Sequence, residues 1–522
     1  MKLVSSMVLL AALGAAPAAH ADVRLHRVFA DHMVLQRDSN INVWGWAAPG
    51  EKVDLQFGGQ NLSAITDDQG KWSVKLAPMK ANATPRILSV AGKNKLELTD
   101  ILVGDVWLCS GQSNMGVGFK RRNPPLDPGE MNLPNLRYLN IPNRCSVKPL
   151  EEAPGLQWTV SSPETVPTYA SVPWYFGQMV HQQTGIPIGI IKANWGGAIA
   201  ENWLAPDSMN DVAALSGLYG EFKNKLKVYE ENLPRNTALL TEWSRAAQEA
   251  LAKGLDVPSI PSVDMHPVYA PPGKPGYFCM YNGMISYLTG FPIKGVTWYQ
   301  GESSADDGPI YYYKMLALIT GWRKAWNIPQ MPFYFVQLPN MGGAGGLPDA
   351  SAKGWPLMRE VQAKCLAIPN TGMAVTIDVG DEELHPRNKY DTGRRLAAIA
   401  LAKDYGVKIE YQAPVYKQCE IKDDKVILSF ELVGAGLMTG RKDGLSPAVE
   451  DPQAKLREFA IAGADKRFHA ANALIQDGSV VVSSPEVPKP VAVRYAFTFN
   501  PAQRNLYGRN RLPVAPFRTD QW

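Results

Sequence analysis

An α/β core carried between two β-sandwich modules is the fold class predicted by the sequence, and three observations predict it. From about Ile101 to Tyr405, short apolar runs alternate with helical patterns, as in a parallel sheet covered by helices. Before and after that span, short segments alternate apolar and polar residues between turn-forming residues. The 522 residues are 45% hydrophobic and 20% charged, enough apolar content for several packed cores, so a disordered chain is excluded. The net charge is only +4, so the charge balance announces no nucleic-acid partner.

The first residues read as an address. A positive start (Met1, Lys2), an apolar run over 8–13 and Ala19-His20-Ala21 fit a cleavable secretory leader over residues 1–21. No later stretch reaches the roughly 18 apolar residues of a membrane helix. The expectation is a periplasmic or secreted protein with no membrane insertion. Five cysteines without paired CxxC spacing argue against a zinc site; in an exported chain they allow one or two disulfides and leave at least one free thiol. Their pairing does not follow from spacing.

Residues 22–100 are expected to form the N-terminal β-sandwich: 42–46, 53–57 and 72–76 alternate, with Pro49-Gly50 and Gln69-Gly70 between them. Residues 101–412 hold the α/β core. Its strands are expected at 101–108, 186–191, 293–299, 332–338 and 373–379, and its helices at 174–183, 311–326 and 391–405. A polar helical insertion occupies about 205–275 and ends in a proline-dense extended loop from Pro258 to Pro275. Alternation returns over 413–522, read as a C-terminal β-sandwich.

In such sheets, reactive groups sit in loops past the carboxyl ends of strands. Ser113 stands in Gly111-Gln112-Ser113-Asn114-Met115, directly after an apolar strand. A tight turn there can present the hydroxyl and its own backbone N–H to a developing oxyanion. A serine nucleophile needs a base. Past the leader the histidines are His26, His32, His181, His266, His385 and His469. Only His385 follows a core strand, with Asp381, Glu382 and Glu383 just upstream. One of these could hold the imidazole in the correct tautomer. The loop Asn194-Trp195-Gly196-Gly197 offers backbone N–H groups, and Gln300 a side-chain amide.

These loops carry a resemblance. The stretch from Phe29 to Arg37, Gly104-Asp105-Val106-Trp107 before GQSNM, Asn194 to Gly197, Tyr281 to Met284, Trp298 to Ser303, Asp378 to Lys389, and Leu512 to Thr519 all resemble the sialate O-acetylesterase group of the SGNH/GDSL hydrolase superfamily. The resemblance implies a flavodoxin-like three-layer α/β/α core with appended β-sandwich modules. It implies removal of acetyl groups from sugar hydroxyls, with no metal and no cofactor. Carried over by position, Ser113 is the nucleophile and His385 the base. The Ser113 backbone, Gly197 and Gln300 form the oxyanion hole, and Asn114 and Glu302 bind substrate. Glu382 stands where the superfamily often has the aspartate of its triad. Asp381, Glu383 or a Ser-His pair oriented by a backbone group are the alternatives. Ala198 stands where threonine is commoner after the Gly-Gly pair.

The expected partner is an O-acetylated glycan. Sialic acids, xylan and xyloglucan are all open as its source. Arg121 or Arg122 could meet a sugar carboxylate, although a solvated basic loop is the commoner role. The competing class is a glycan-binding protein without catalysis, which would bind but release no acetate. A metal-dependent deacetylase is disfavoured because no His/Asp ligand cluster is visible.

Overall fold

The computed structural model describes residues 22–119, 126–270, 274–343, 345–431 and 436–522. The leader-like residues 1–21 lie outside them. One long strand organises the N-terminal module and the core. β1 (Lys95–Gly111) begins with alternating exposure and becomes continuously buried from Ile101 onward. Its first half pairs antiparallel with the strand Asn82–Ala91 of the N-terminal module. Its second half is the centre of the core sheet. The compositional change near residue 100 is therefore real, but it falls inside a strand rather than in a linker. The two parts also share one apolar core, in which Val43 and Leu55 belong to the same cluster as Trp298 and Trp322.

The core adds β2 (Ile188–Asn194), β3 (Gly295–Tyr299), β4 (Phe333–Val336) and β5 (Thr371–Ala374), all paired in parallel. Their order is β2-β1-β3-β4-β5, a flavodoxin-like arrangement. Two further strands, Leu133–Asn140 and Trp158–Ser161, extend the sheet beyond β2. Successive β1 side chains supply opposite faces. Val106 and Leu108 enter one core, and Trp107 and Cys109 the other. On the first face lie α2 (Ile310–Trp326) and α3 (Gly354–Lys364); on the second lie α1 (Ser171–Thr184) and α4 (Lys389–Asp404). Three layers result.

β5 is shorter than the run over 373–379 suggests. Past Ala374, Thr376 Oγ1 donates to the Gln337 carbonyl, and Asp378 turns into a bidentate pair with Arg395 of α4. These polar partners draw the chain out of the sheet. The helical part of the 205–275 insertion is two short 3₁₀ turns, Pro206–Met209 and Ala213–Leu215, followed by one long helix, Ser216–Ala252, that buries few of its residues. At the far end, the sheet containing Lys425–Glu431 and Ser479–Ser483 faces the one containing Phe459–Ala462 and Ala492–Tyr495 across a shared apolar core. Arg359 of α3 ties this module to the core sheet: its guanidinium donates to the carbonyls of Leu338, Pro339, Thr498 and Phe499. Among the described residues no helix is long and apolar enough to cross a membrane.

Candidate active site

The site assembles at the carboxyl ends of β1, β2 and β3. β1 ends at Gly111, whose φ is 133°, and a Cβ there would meet the Tyr299 carbonyl oxygen at 2.1 Å. Only glycine lets the chain turn this close to β3. The next N–H, of Gln112, donates to that same carbonyl (2.9 Å). Ser113 then opens the single helical turn Ser113–Gly116 and remains half-buried.

The β2 loop is fastened to this turn. Trp195 N donates to Gly111 O (3.1 Å), and Asn194 Nδ2 to Gln112 O (3.1 Å). Gly196 consequently lies against Ser113, with its Cβ position 3.6 Å from the Ser113 Cβ. Gly197 follows with open space where a side chain would be. The β3 loop is fastened as well: Gln112 Oε1 accepts from the backbone N–H groups of Gly301 (3.4 Å) and Ser303 (3.3 Å).

The third attachment brings in the histidine loop. Asn114 is fully buried, and its amide Nδ2 donates both to Glu302 and to the Leu384 carbonyl (3.1 Å). Its Oδ1 accepts from the ammonium of buried Lys389. Leu384 precedes His385, so this one side chain holds the histidine loop beside the serine turn. His385 itself is half-buried. Burial pushes the Glu302 carboxyl above the usual carboxylate range, against the hydrogen bond from Asn114 and the nearby Lys389 charge. Among the described residues its Oε2 finds no hydrogen-bond partner.

Four of the expected site residues have surroundings that spacing alone does not show. Asn114 and Glu302 are internal struts: the Asn114 amide is fully engaged, and the Glu302 carboxyl is buried behind it. Gln300 is completely buried, and its Nε2 donates to Ala198 O (3.2 Å) and Ser304 Oγ (3.1 Å), while Tyr311 OH donates to its Oε1 (2.9 Å). One amide hydrogen thus goes to the loop that carries Gly197 and the other to Ser304 of its own loop. Glu382 is exposed, and among the described residues its carboxylate makes no hydrogen bond. The cause is the neighbouring Asp381, which accepts from the N–H groups of Glu383 (2.8 Å) and Arg387 (3.0 Å) and bends the loop, leaving Glu382 outside. Glu383 pairs with Arg387 (3.0 Å). Arg121 and Arg122 lie outside the described residues.

Sequence reasoning missed Gln112, Asn194, Tyr311 and Lys389 as organisers. Gln112 and Asn194 sit inside quoted motifs, yet only the fold reveals that they bond one another's loops. Lys389 opens a helix, where nothing in the spacing marks a lysine for burial. Among the described residues no group of three His, Cys, Asp or Glu side chains is placed to hold a metal ion. A cleft of 780 Å³ lies beyond the β2 loop, lined by Ile199, Glu201, Val228, Tyr269 and Tyr277 among others.

Comparison with known proteins adds the family. The family described as carbohydrate esterase, sialic acid-specific acetylesterase matches residues 269–402. A crystal structure of a carbohydrate acetylesterase from Xanthomonas citri is 34% identical, with a TM-score of 0.77, and the match covers 96% of this chain and all of that one. The chain belongs to the sialate O-acetylesterase-like family of carbohydrate esterases. Sialate O-acetylesterases of Mus musculus (28% identical, 75% of each chain) and Rattus norvegicus (26% identical, 93% of this chain and 92% of the relative) are similar over most of their length. As a member of the sialate O-acetylesterase-like family, the chain is a carboxylic-ester hydrolase. The matched span includes Gln300, Glu302 and His385, while Ser113 lies upstream and joins them only through the fold.

Proposed function

We propose that this chain removes acetyl groups from sugar hydroxyls through an acetyl-enzyme on Ser113. The observation that carries the reading is the Asn114 strut, which fastens the loop of His385 to the turn of Ser113. His385 accepts the Ser113 hydroxyl proton as Oγ attacks the acetyl carbonyl carbon. The carbonyl becomes an oxyanion, for which the N–H groups of Ser113 and Gly197 are the donors. The proton then passes from His385 to the departing sugar oxygen. Water, deprotonated by His385, attacks the acetyl-serine, and acetate leaves as the proton returns to Ser113. Gln300 holds the Gly197 loop in register from behind. His385 must be neutral to act, so activity rises with pH as the imidazole loses its proton.

The glycan itself is read as lying along the 780 Å³ cleft, whose lining includes Ile199, two residues past Gly197. The leader-like residues 1–21 support an exported enzyme that meets its substrate outside the cytoplasm. The test is acetate release from O-acetylated sialic acids, xylan and xyloglucan, with Ser113→Ala beside the wild type. Loss of about 10³-fold or more in kcat is expected for the variant, with folding unchanged. Trapping at low pH should leave an acetyl group on Ser113 in the wild type. A variant that keeps more than about a tenth of the activity refutes the nucleophile. Saturable glycan binding with no acetate released from any substrate would make the protein a lectin.

A further inference from the structure

We propose that Cys145 and Cys279 are a disulfide site, a covalent clasp between the loop after the strand Leu133–Asn140 and the segment that opens the turn Tyr281–Ile285. Their Sγ atoms lie 2.6 Å apart. The juxtaposition is built into the backbone. Ser146 N donates to Cys279 O (3.1 Å) and Leu150 N to Asn282 O (2.9 Å). Asn282 Nδ2 donates to the carbonyls of Ser146 (3.2 Å) and Val147 (3.0 Å), and Ser286 Oγ donates to Leu150 O (3.0 Å). A Cβ on Gly283 would meet Arg144 O at 2.1 Å, so the two segments approach closely only because residue 283 is glycine. Two thiols held this way have their orientation and approach already fixed.

The other cysteines are placed differently. Cys109 and Cys365 are sealed in the core, and burial pushes both thiols up to about 12. Cys419 stands on the C-terminal module. Cys145 is half-buried, and its hydrogen bond with the Cys279 thiol holds it below the ordinary thiol value, so it is the first to ionise. The oxidant is a disulfide, either of a partner dithiol protein or of glutathione. The Cys145 thiolate attacks one sulfur of that disulfide, forms a mixed disulfide and expels a thiolate. The Cys279 thiolate then attacks the Cys145 sulfur and expels the second. Two thiols lose two protons and two electrons, and the oxidant becomes two thiols.

The clasp bears on the catalytic loop. Phe278, next to Cys279, donates its N–H to Glu201 O (2.9 Å), and Asn202 Nδ2 donates to Gly276 O (2.7 Å). Glu201 and Asn202 follow the Gly196-Gly197 loop, so the disulfide anchors the support of that loop.

The test uses the full chain, incubated with oxidised glutathione, denatured without reductant and alkylated. The expected result is that every cysteine except Cys145 and Cys279 alkylates, and that peptide mapping recovers these two as one linked peptide that a reductant separates. Full alkylation of both, or linkage of either to another partner, overturns the proposal. A second measurement compares thermal inactivation with and without dithiothreitol. Reductant should shorten the half-life of the oxidised wild type by about tenfold or more and leave Cys145→Ser unchanged. An equal response in both proteins overturns the stabilising clasp.

Discussion

Asn114→Ala tests how the site is held together. The side chain makes three bonds: to the Glu302 carboxylate, from the Lys389 ammonium, and to the Leu384 carbonyl. The first two engage charged groups and contribute about 1.5–3 kcal/mol each, and the third about 0.5–1.5 kcal/mol. The gross loss is about 3.5–7.5 kcal/mol. Water entering the vacated space recovers part of it, so about 3–5 kcal/mol should remain. Among the described residues Oε2 of Glu302 has no partner, so truncation takes away the hydrogen bond on its other oxygen as well. Urea unfolding reads the stability. Acetate release reads the second effect, because the Leu384 carbonyl loses its tether and His385 its position. A fall in kcat of about tenfold or more, with KM changed less, is expected. Asn114→Asp supplies a control. It can still accept from Lys389, but as a carboxylate it cannot donate to Glu302 or Leu384, so its activity should recover relative to wild type as pH falls. Stability within about 0.5 kcal/mol of wild type together with unchanged kcat in Asn114→Ala would refute the strut.

Three further outcomes rest on the same geometry. Gln300→Ala should lower stability by about 1–3 kcal/mol, because Ala198 O and Tyr311 OH lose buried partners, and should cost about tenfold in kcat; a loss of 10²–10³ at unchanged stability would restore a direct oxyanion role, on the usual scale of such donors. Glu382→Gln should change kcat less than about threefold, since its carboxylate is exposed, whereas Asp381→Asn, which disturbs the loop cap, should cost more; the reverse order in acetate-release assays would return Glu382 to the site. Burial raises the Asp378 pKa, but the Arg395 charge and hydrogen bonds more than offset this and hold it below the ordinary value. A depressed carboxyl stabilises the fold above its unfolded pKa, so that contribution should fade as pH drops through and below the ordinary aspartate range, and Arg395→Met should flatten this acid limb in urea titrations while costing about 3–5 kcal/mol near neutrality.

The fold was legible where pattern and burial coincide. Residues 188–191 and 295–299 are apolar because helices cover both faces of a parallel sheet, so a run without alternation marks them. The sandwich strand Ile41–Trp46 alternates buried and half-buried residues, as a one-sided sheet requires. The border expected at residues 100 and 101 falls inside a strand for a physical reason. β1 changes its surroundings at Ile101, from one covered face to two, without changing its backbone. A local pattern reports surroundings, and a strand that crosses from one module to the next looks like a boundary. The end of β5 was missed similarly: Thr376 and Asp378 find polar partners from Gln337 and Arg395, which are distant in sequence.

The site was legible as an ordered set of strand-end loops, because parallel strands must deliver their loops to one edge. The roles of polar side chains within those loops were not. Asn114, Glu302 and Gln300 have the chemistry of substrate contacts, and position along the chain cannot distinguish a side chain facing a cleft from one facing its neighbour. Burial makes that distinction. Loops without regular ladders leave backbone and side-chain groups that must be satisfied once water is excluded. Here Gln112 serves the Gly301 and Ser303 amides, Gln300 serves Ala198, and Asn114 serves Leu384. The amide side chains of Gln112, Asn114 and Gln300 near Ser113 are thus consumed in joining loops. Loops joined this way tolerate little change in their buried amides.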